Sequence, residues 1–307
     1  MAVQRLSDRA EALLVRVPVV DSSLPSTSDI DVLAVGQADD FLPERIVPAG
    51  RDGGARMVDV IWLPRSRLDD PGGLAAAGLI AHRVVGSEVV VDRTGCVGER
   101  LAAVRDSFNE QPIRERRVAG FLDMAYSTVR EIGITWDFPP LALFWLHMAH
   151  AACVAAMVDG IGGLCSNVYT RPFDSLRDLE AANGLLLEEP FVAALHLDVD
   201  PLPLVPRLRR MHAVISERFP EPQWPAAMRQ MTRFEYRYFS SGEELEWRLA
   251  VAEEMISRGS PPAAVFYLRF WAYVLARVPM VHQRAREGVD VSFVRPSKAI
   301  RPELERL

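Results

Sequence analysis

Short apolar runs separated by polar breaks fill the first third of the chain, and longer runs with helical spacing fill the rest. Residues 5–16 carry the spacing of a short helix leading into a strand over residues 16–20. Ile30, Val32, Leu33, Ala34 and Val35 are apolar and largely β-favouring, which predicts a strand over residues 29–36. The run MVDVIWL at 57–63 predicts another, stopped by Pro64. A glycine-interrupted helix is expected at 74–81 and a fourth strand in SEVVVD at 87–92. RTG then reads as a turn, and VGERLAAVRDSFNE as a helix ending before Pro112. This order predicts an α/β (α+β) N-terminal domain with a small mixed sheet over residues 1–113.

Beyond Arg114 nearly every run has helical period. Helices are expected at 117–132, 140–159, 175–183, 203–219, 225–238, 242–257 and 261–278, several opening on a proline, which suits a first turn. Residues 114–287 therefore read as an all-α domain. Residues 288–307 are polar, twice broken by proline, and read as a loosely packed tail.

Composition narrows the classes. With 307 residues, 49% hydrophobic and 25% charged, the chain is globular and long enough for two domains. A net charge of −6 argues against a dominant nucleic-acid surface. Lys298 is the lone lysine among 35 basic residues, an imbalance that points to genome composition more than mechanism. Cys96, Cys153 and Cys165 stand far apart with no CxxC spacing, so a reducing, cytoplasmic setting and no zinc site are expected. No secretory leader is visible at the N-terminus. The apolar stretch 140–158 carries His147 and His150 and reads as a core helix rather than a membrane span.

Candidate chemistry begins in VPVVDSSLPSTSDIDVLAVG, residues 17–36. A serine-rich turn leads to a strand in which Asp29 and Asp31, two apart, share a face. Asp59 sits between Val58 and Val60 in the next predicted strand, an odd core choice unless it faces a site. Two carboxylates at about 4 Å and an effective dielectric near 20 repel by roughly 4 kcal/mol, so a cation or water must compensate. Neutralising Asp31 should then relieve strain in the metal-free protein. An Asp-x-Asp pair alone also serves as turn chemistry before an exposed strand. Together with the serine turn and Asp59, it forms a hard-oxygen cluster suited to Mg²⁺ and substrate phosphates.

This constellation resembles the nucleotidyltransferase superfamily that includes DNA polymerase β, especially its small two-domain bacterial members such as the aminoglycoside nucleotidyltransferases. The resemblance covers about the first 110 residues and extends to the Asp-x-x-Gly turn and helix after residue 91. It implies that Asp29, Asp31 and Asp59 hold one or two Mg²⁺ ions and are catalytic. It also implies that the turn with Ser22, Ser23 and Ser28 holds the phosphates of an NTP, here without the family's glycine. The activity implied is transfer of a nucleoside monophosphate to a small-molecule acceptor held between the domains, with release of pyrophosphate. Glu235 is a candidate base from the helical half, and Arg171 a candidate phosphate contact. Transfer to RNA and a non-catalytic nucleotide-binding module stay open as alternatives. The runs RERR (114–117) and RLRR (207–210) read as solvated helix faces, and His147 with His150 as core histidines rather than a metal pair.

Overall fold

The computed structural model describes residues 6, 9–16, 30–36, 42–46, 58–165, 172–224 and 236–287. The chain divides into two units: Met1–Leu122 with Ala155–Ser166, and Asp123–Val154 with Asn167–Leu307. The first carries a mixed sheet and the second is helical, so the α+β-then-all-α class holds.

The five strands are β1 (Ala12–Arg16), β2 (Ile30–Gly36), β3 (Leu42–Ile46), β4 (Val58–Pro64) and β5 (Ser87–Asp92), in the order β3-β4-β2-β1-β5. β2 and β4 are parallel, and the other pairs are antiparallel. Alternation along each strand sorts the side chains into two layers. Ala12, Leu14, Leu33, Val35 and Leu63 pack under helices, with Leu74, Val84, Leu101 and Phe108. Leu13, Val32, Ala34, Val60 and Trp62 fill the opposite face with Leu6 and Ala10.

Two strands correct the sequence reading. The expected helix at 5–16 gives way to strand from Ala12, because ALLVR is apolar on both faces and pairs with β2 on one side and β5 on the other. Over so short an apolar run helical and strand spacing are indistinguishable, and the tertiary partners decide. β3 was not anticipated. It holds Pro43 and two charged residues, which suits its place at the sheet edge. Residues 17–20 lie outside the described residues.

In the first unit, α1 (Pro71–Ala75) and α2 (Leu79–Val85) replace the single interrupted helix expected at 74–81. Gly78 separates them at φ 55°, a conformation that favours glycine. Asp70 caps α1 by accepting the Gly73 N–H at 2.9 Å. α3 (Val97–Phe108) follows; α4 (Gln111–Thr135) and α5 (Pro139–Gly160) are divided between the units, after Leu122 in α4 and after Val154 in α5.

The second unit adds α6 (Pro172–Asn183), α7 (Glu188–Ala194), α8 (Leu204–Arg218), α9 (Gly242–Ser257) and α10 (Pro261–Glu287). α7 was not expected; the Glu180 carboxylate starts it by accepting the N–H groups of Leu187 (2.5 Å) and Glu188 (2.7 Å). Ser241 caps α9 by accepting the Glu244 N–H at 3.3 Å. α10 runs past the expected end at 278 and through Pro279. Its buried Tyr267, Trp271, Val274 and Leu275 pack with Leu208, Ile215 and Leu249 into the main helical core. There Arg248 donates to Glu244 and to the hydroxyls of Tyr238 and Tyr267, beneath the rings of Trp247 and Trp271. By length and composition α5 and residues 261–283 could cross a membrane; their most apolar windows are 61% and 72% buried within the protein.

Candidate functional site

One row of residues crosses the sheet at a single end. Asp31 of β2 pairs in register with Asp59 of β4, and Arg16 of β1 pairs with Ser87 of β5. β1 and β2 pair as far as Val15 with Val32, so Arg16 is the next residue towards Asp31. On the outer side, Arg45 of β3 stands opposite Asp59. The rows behind it, with Leu14, Leu33 and Ile61 and then Ala12, Val35 and Leu63, are apolar and lie under helices. Strand alternation puts Asp31, Asp59 and Arg16 on that same helix-bearing face. Where the apolar cover ends, the sheet turns charged.

Two cations meet Asp31. Arg16 Nη1 stands 3.7 Å from Oδ2, and Arg83 Nη1, from the last turn of α2, stands 3.8 Å from Oδ1. Asp31 is 18% exposed and the arginines 20% and 26%, so water screens the three groups only in part. Neutralising Asp31 in the metal-free protein would remove these two attractions along with the repulsion from Asp59. At an effective dielectric near 20 each arginine attracts Asp31 by about 4 kcal/mol, against about 3 kcal/mol of repulsion from a carboxylate one strand spacing away. Sequence reasoning missed both arginines as site residues. The one signal for Arg16 was its place at the end of an apolar run; Arg83 had none.

Two carboxylates on adjacent strands offer hard oxygen donors, which fit Mg²⁺ and not a soft metal. Among the described residues no group of three or more His, Cys, Asp or Glu side chains gathers to hold a metal. Asp29, Ser22, Ser23, Ser28, Arg171 and Glu235 lie outside the described residues.

Behind the charged row lies a buried polar cluster. Arg117 of α4 donates to Asp159 of α5 from Nη2 at 2.9 Å and from Nε at 3.1 and 3.3 Å. Its Nη1 donates to the carbonyls of Ala75 (2.7 Å) and Phe108 (3.0 Å), and its guanidinium lies 3.6 Å over the Phe108 ring. Arg117 is 1% exposed, so it departs from the solvated reading of its RERR run, whose Glu115 and Arg116 are exposed as expected: a nearby buried carboxylate, invisible in sequence, draws it inside. In the second run, Arg209 does lie at the surface, paired with Glu246 at 2.9 Å.

His82 adjoins the cluster. Its Nδ1 accepts the Cys165 N–H at 3.1 Å, so the ring proton sits on Nε2, 3.6 Å from Asp159 Oδ1. Burial lowers its pKa to about 4; Asp159 opposes this, while Arg117 and Arg16 add to it. Burial pushes the Cys165 thiol up to about 12, so it is inert as a nucleophile.

The Asp-x-x-Gly turn is a structural cap. Asp92 Oδ1 accepts the N–H groups of Thr94 and Gly95, and Oδ2 accepts those of Val97 and Gly98 at the start of α3. Burial tends to raise its pKa, but the Thr94 hydroxyl and the backbone donors outweigh that and hold it low.

The other sequence candidates resolve as packing where they are described. His147 is buried and stacked on Phe266 at 3.7 Å, and His150 Nδ1 meets the Leu146 carbonyl at 2.8 Å. Tyr236, next to Glu235, is buried and donates to the Phe219 carbonyl. Arg177 spends its guanidinium on Glu188 and Ser260.

Fold and site thus define a mixed-sheet domain with paired carboxylates at one sheet end, joined in sequence to a helical unit. No family model and no curated protein matches the chain. Among solved structures it is similar to the nucleotidyltransferase-like protein from Exiguobacterium sibiricum 255-15, at 12% identity over 84% of this chain and 89% of that one. The TM-score is 0.31, and at that level the likeness carries no inference about substrate or metal.

Proposed function

We propose that the chain is a Mg²⁺-dependent nucleotidyltransferase that moves a nucleoside monophosphate from an NTP to a small-molecule acceptor and releases pyrophosphate. The observation that supports this best is the in-register pair Asp31 and Asp59, on adjacent parallel strands and one face of the sheet. When bound, Mg²⁺ would supply charge neutralisation of the transferring phosphoryl group. Asp31 and Asp59 would hold it, with Asp29 as the third carboxylate. Arg16 and Arg83 bring positive charge to the same end of the sheet, where a polyphosphate needs it. Ser22, Ser23 and Ser28 are the proposed phosphate turn, Arg171 a further phosphate contact and Glu235 the proposed base. The long apolar helices α5 and α10 are read as core rather than membrane spans, and the setting as cytoplasmic.

The test is incubation with α-labelled NTPs, Mg²⁺ and a metabolite pool, reading pyrophosphate release and label transfer. Activity lost in both Asp31→Asn and Asp59→Asn supports the reading. A parallel tRNA pool separates an RNA acceptor. No Mg²⁺-dependent pyrophosphate with either pool, alongside retained nucleotide binding, makes the chain a binding module instead.

A further inference from the structure

We infer that α4 is a dimerisation helix: its outer face pairs antiparallel with the same helix of a second copy of this chain, about a two-fold axis. The inference does not depend on the metal-and-nucleotide reading of the sheet.

Leu122, Tyr126 and Val129 are spaced by four and then three residues along this one helix. Gly133 and Trp136 continue the same spacing, Trp136 standing one residue past the helix end. That alternation keeps them in a single stripe, the pattern of a coiled-coil seam. The stripe faces water: Leu122 is 51% exposed, Tyr126 72%, Val129 55% and Trp136 74%. The helix is held from another side, by the buried Phe121, Ala125, Thr128 and Thr135. An apolar row of this length marks a surface that another molecule covers.

Size complementarity names a second copy as the cover. An antiparallel pairing that sets Tyr126 against Val129 of the other copy repeats that contact with the roles exchanged, as a two-fold axis requires. The same register sets Leu122 against Gly133 and Trp136 against Ala119, a large side chain beside a small one at each level. A Cβ on Gly133 would meet nothing within 4 Å, so a leucine has room there. Glycine weakens a helix interior, and no described neighbour within the chain needs the space.

Charge points the same way. Asp123 and Arg130, seven residues apart, flank the stripe on its exposed side, and neither makes an ion pair among the described residues. In the antiparallel register each Asp123 stands beside Arg130 of the other copy, so the axis produces two opposite-charge pairs. In a parallel pairing the same flank would meet Val118, Ala125 and Ile132, which carry no charge and are buried or half-buried. Tyr126 would then face Tyr126, and Gly133 would face Gly133. The stripe is complementary to itself only when reversed.

Sedimentation equilibrium on the full chain tests this. The wild type should move with concentration from 34.2 kDa to twice that mass. Tyr126→Asp should raise the dimer dissociation constant by about a hundredfold, because the two-fold axis counts a lost aromatic anchor twice. Asp123→Arg and Arg130→Asp should each weaken the dimer by setting like charges opposite one another twice. Mixed together, these two variants should recover a heterodimer in which every flanking charge meets its opposite, a recovery that also shows both to be folded. The charge variants decide if Tyr126→Asp fails to fold. A wild type that stays at 34.2 kDa up to about 100 μM overturns the inference, and binding of that monomer to phosphatidylcholine vesicles would give the stripe to a membrane surface instead. A dimer that survives Tyr126→Asp, or charge variants that gain nothing on mixing, overturns it as well.

Discussion

Asp159→Asn puts the buried cluster to its hardest test. The substitution preserves shape and removes one charge from a pair in which both side chains have no solvent exposure. Arg117 reaches Asp159 through three contacts of 2.9–3.3 Å, and an amide can replace at most the ones that meet its single oxygen. Its NH₂ would face guanidinium donors with nothing to offer them. Leaving a buried cation without its counter-charge costs about 3–5 kcal/mol, against a typical domain stability of about 5–15 kcal/mol. In an Arg117→Met background the sign changes: Asp159 is then itself the uncompensated buried charge, and replacing it becomes neutral or stabilising. Urea unfolding, with hydrogen exchange over residues 111–122 to read the first unit separately, measures both backgrounds. A loss below about 1 kcal/mol in the single variant, or equal losses in both, would refute the buried-pair account.

Three further outcomes are expected. Asp31→Asn should lower metal-free stability by about 1 kcal/mol, because two partly screened arginines lose their partner, and should abolish any stabilisation by Mg²⁺; a higher melting temperature without metal would show that carboxylate repulsion dominates instead. His82 is depressed to about 4 by burial, so the unfolded chain takes up its proton first and stability falls between about pH 6.5 and 4. The fall is on the order of 3 kcal/mol, levels off below that window, and should shrink in His82→Gln; melts at pH 7 and 4.5 that change equally in the two proteins would exclude His82 as the cause. Asp92→Ala should cost about 1–2 kcal/mol and Asp92→Asn less, since the amide keeps one acceptor for the α3 amides; equal losses by chemical denaturation would rule out the cap.

How far the sequence could be read follows from range. Strong local patterns survived: SEVVVD is β5 residue for residue, and GEELEWRLAVAEEMIS is α9, opened by the Ser241 cap. The placement of Asp31 and Asp59 on one face of the sheet was also legible, because period-two alternation and an isolated acid in MVDVIWL both pointed to it; the parallel direction of the two strands was not. What failed depended on partners far along the chain. ALLVR becomes a strand through neighbours on both sides, and Arg117 goes inside because a residue on another helix awaits it. Arg83 could not be found at all, since only the corner between α2 and β5 brings it to Asp31.

The position of β1 carries a consequence for synthesis. Although it comes first among the described strands, it lies inside the sheet, and its second partner ends only at Asp92. On a ribosome adding about 5–20 residues per second, ALLVR therefore waits several seconds with one hydrogen-bonding edge unclaimed and apolar side chains on both faces. Shortening the N-terminus past Ala12 would do more than trim the molecule. It would take away the strand that joins β5 to β2 and add two open edges to those the sheet already has at β3 and β5.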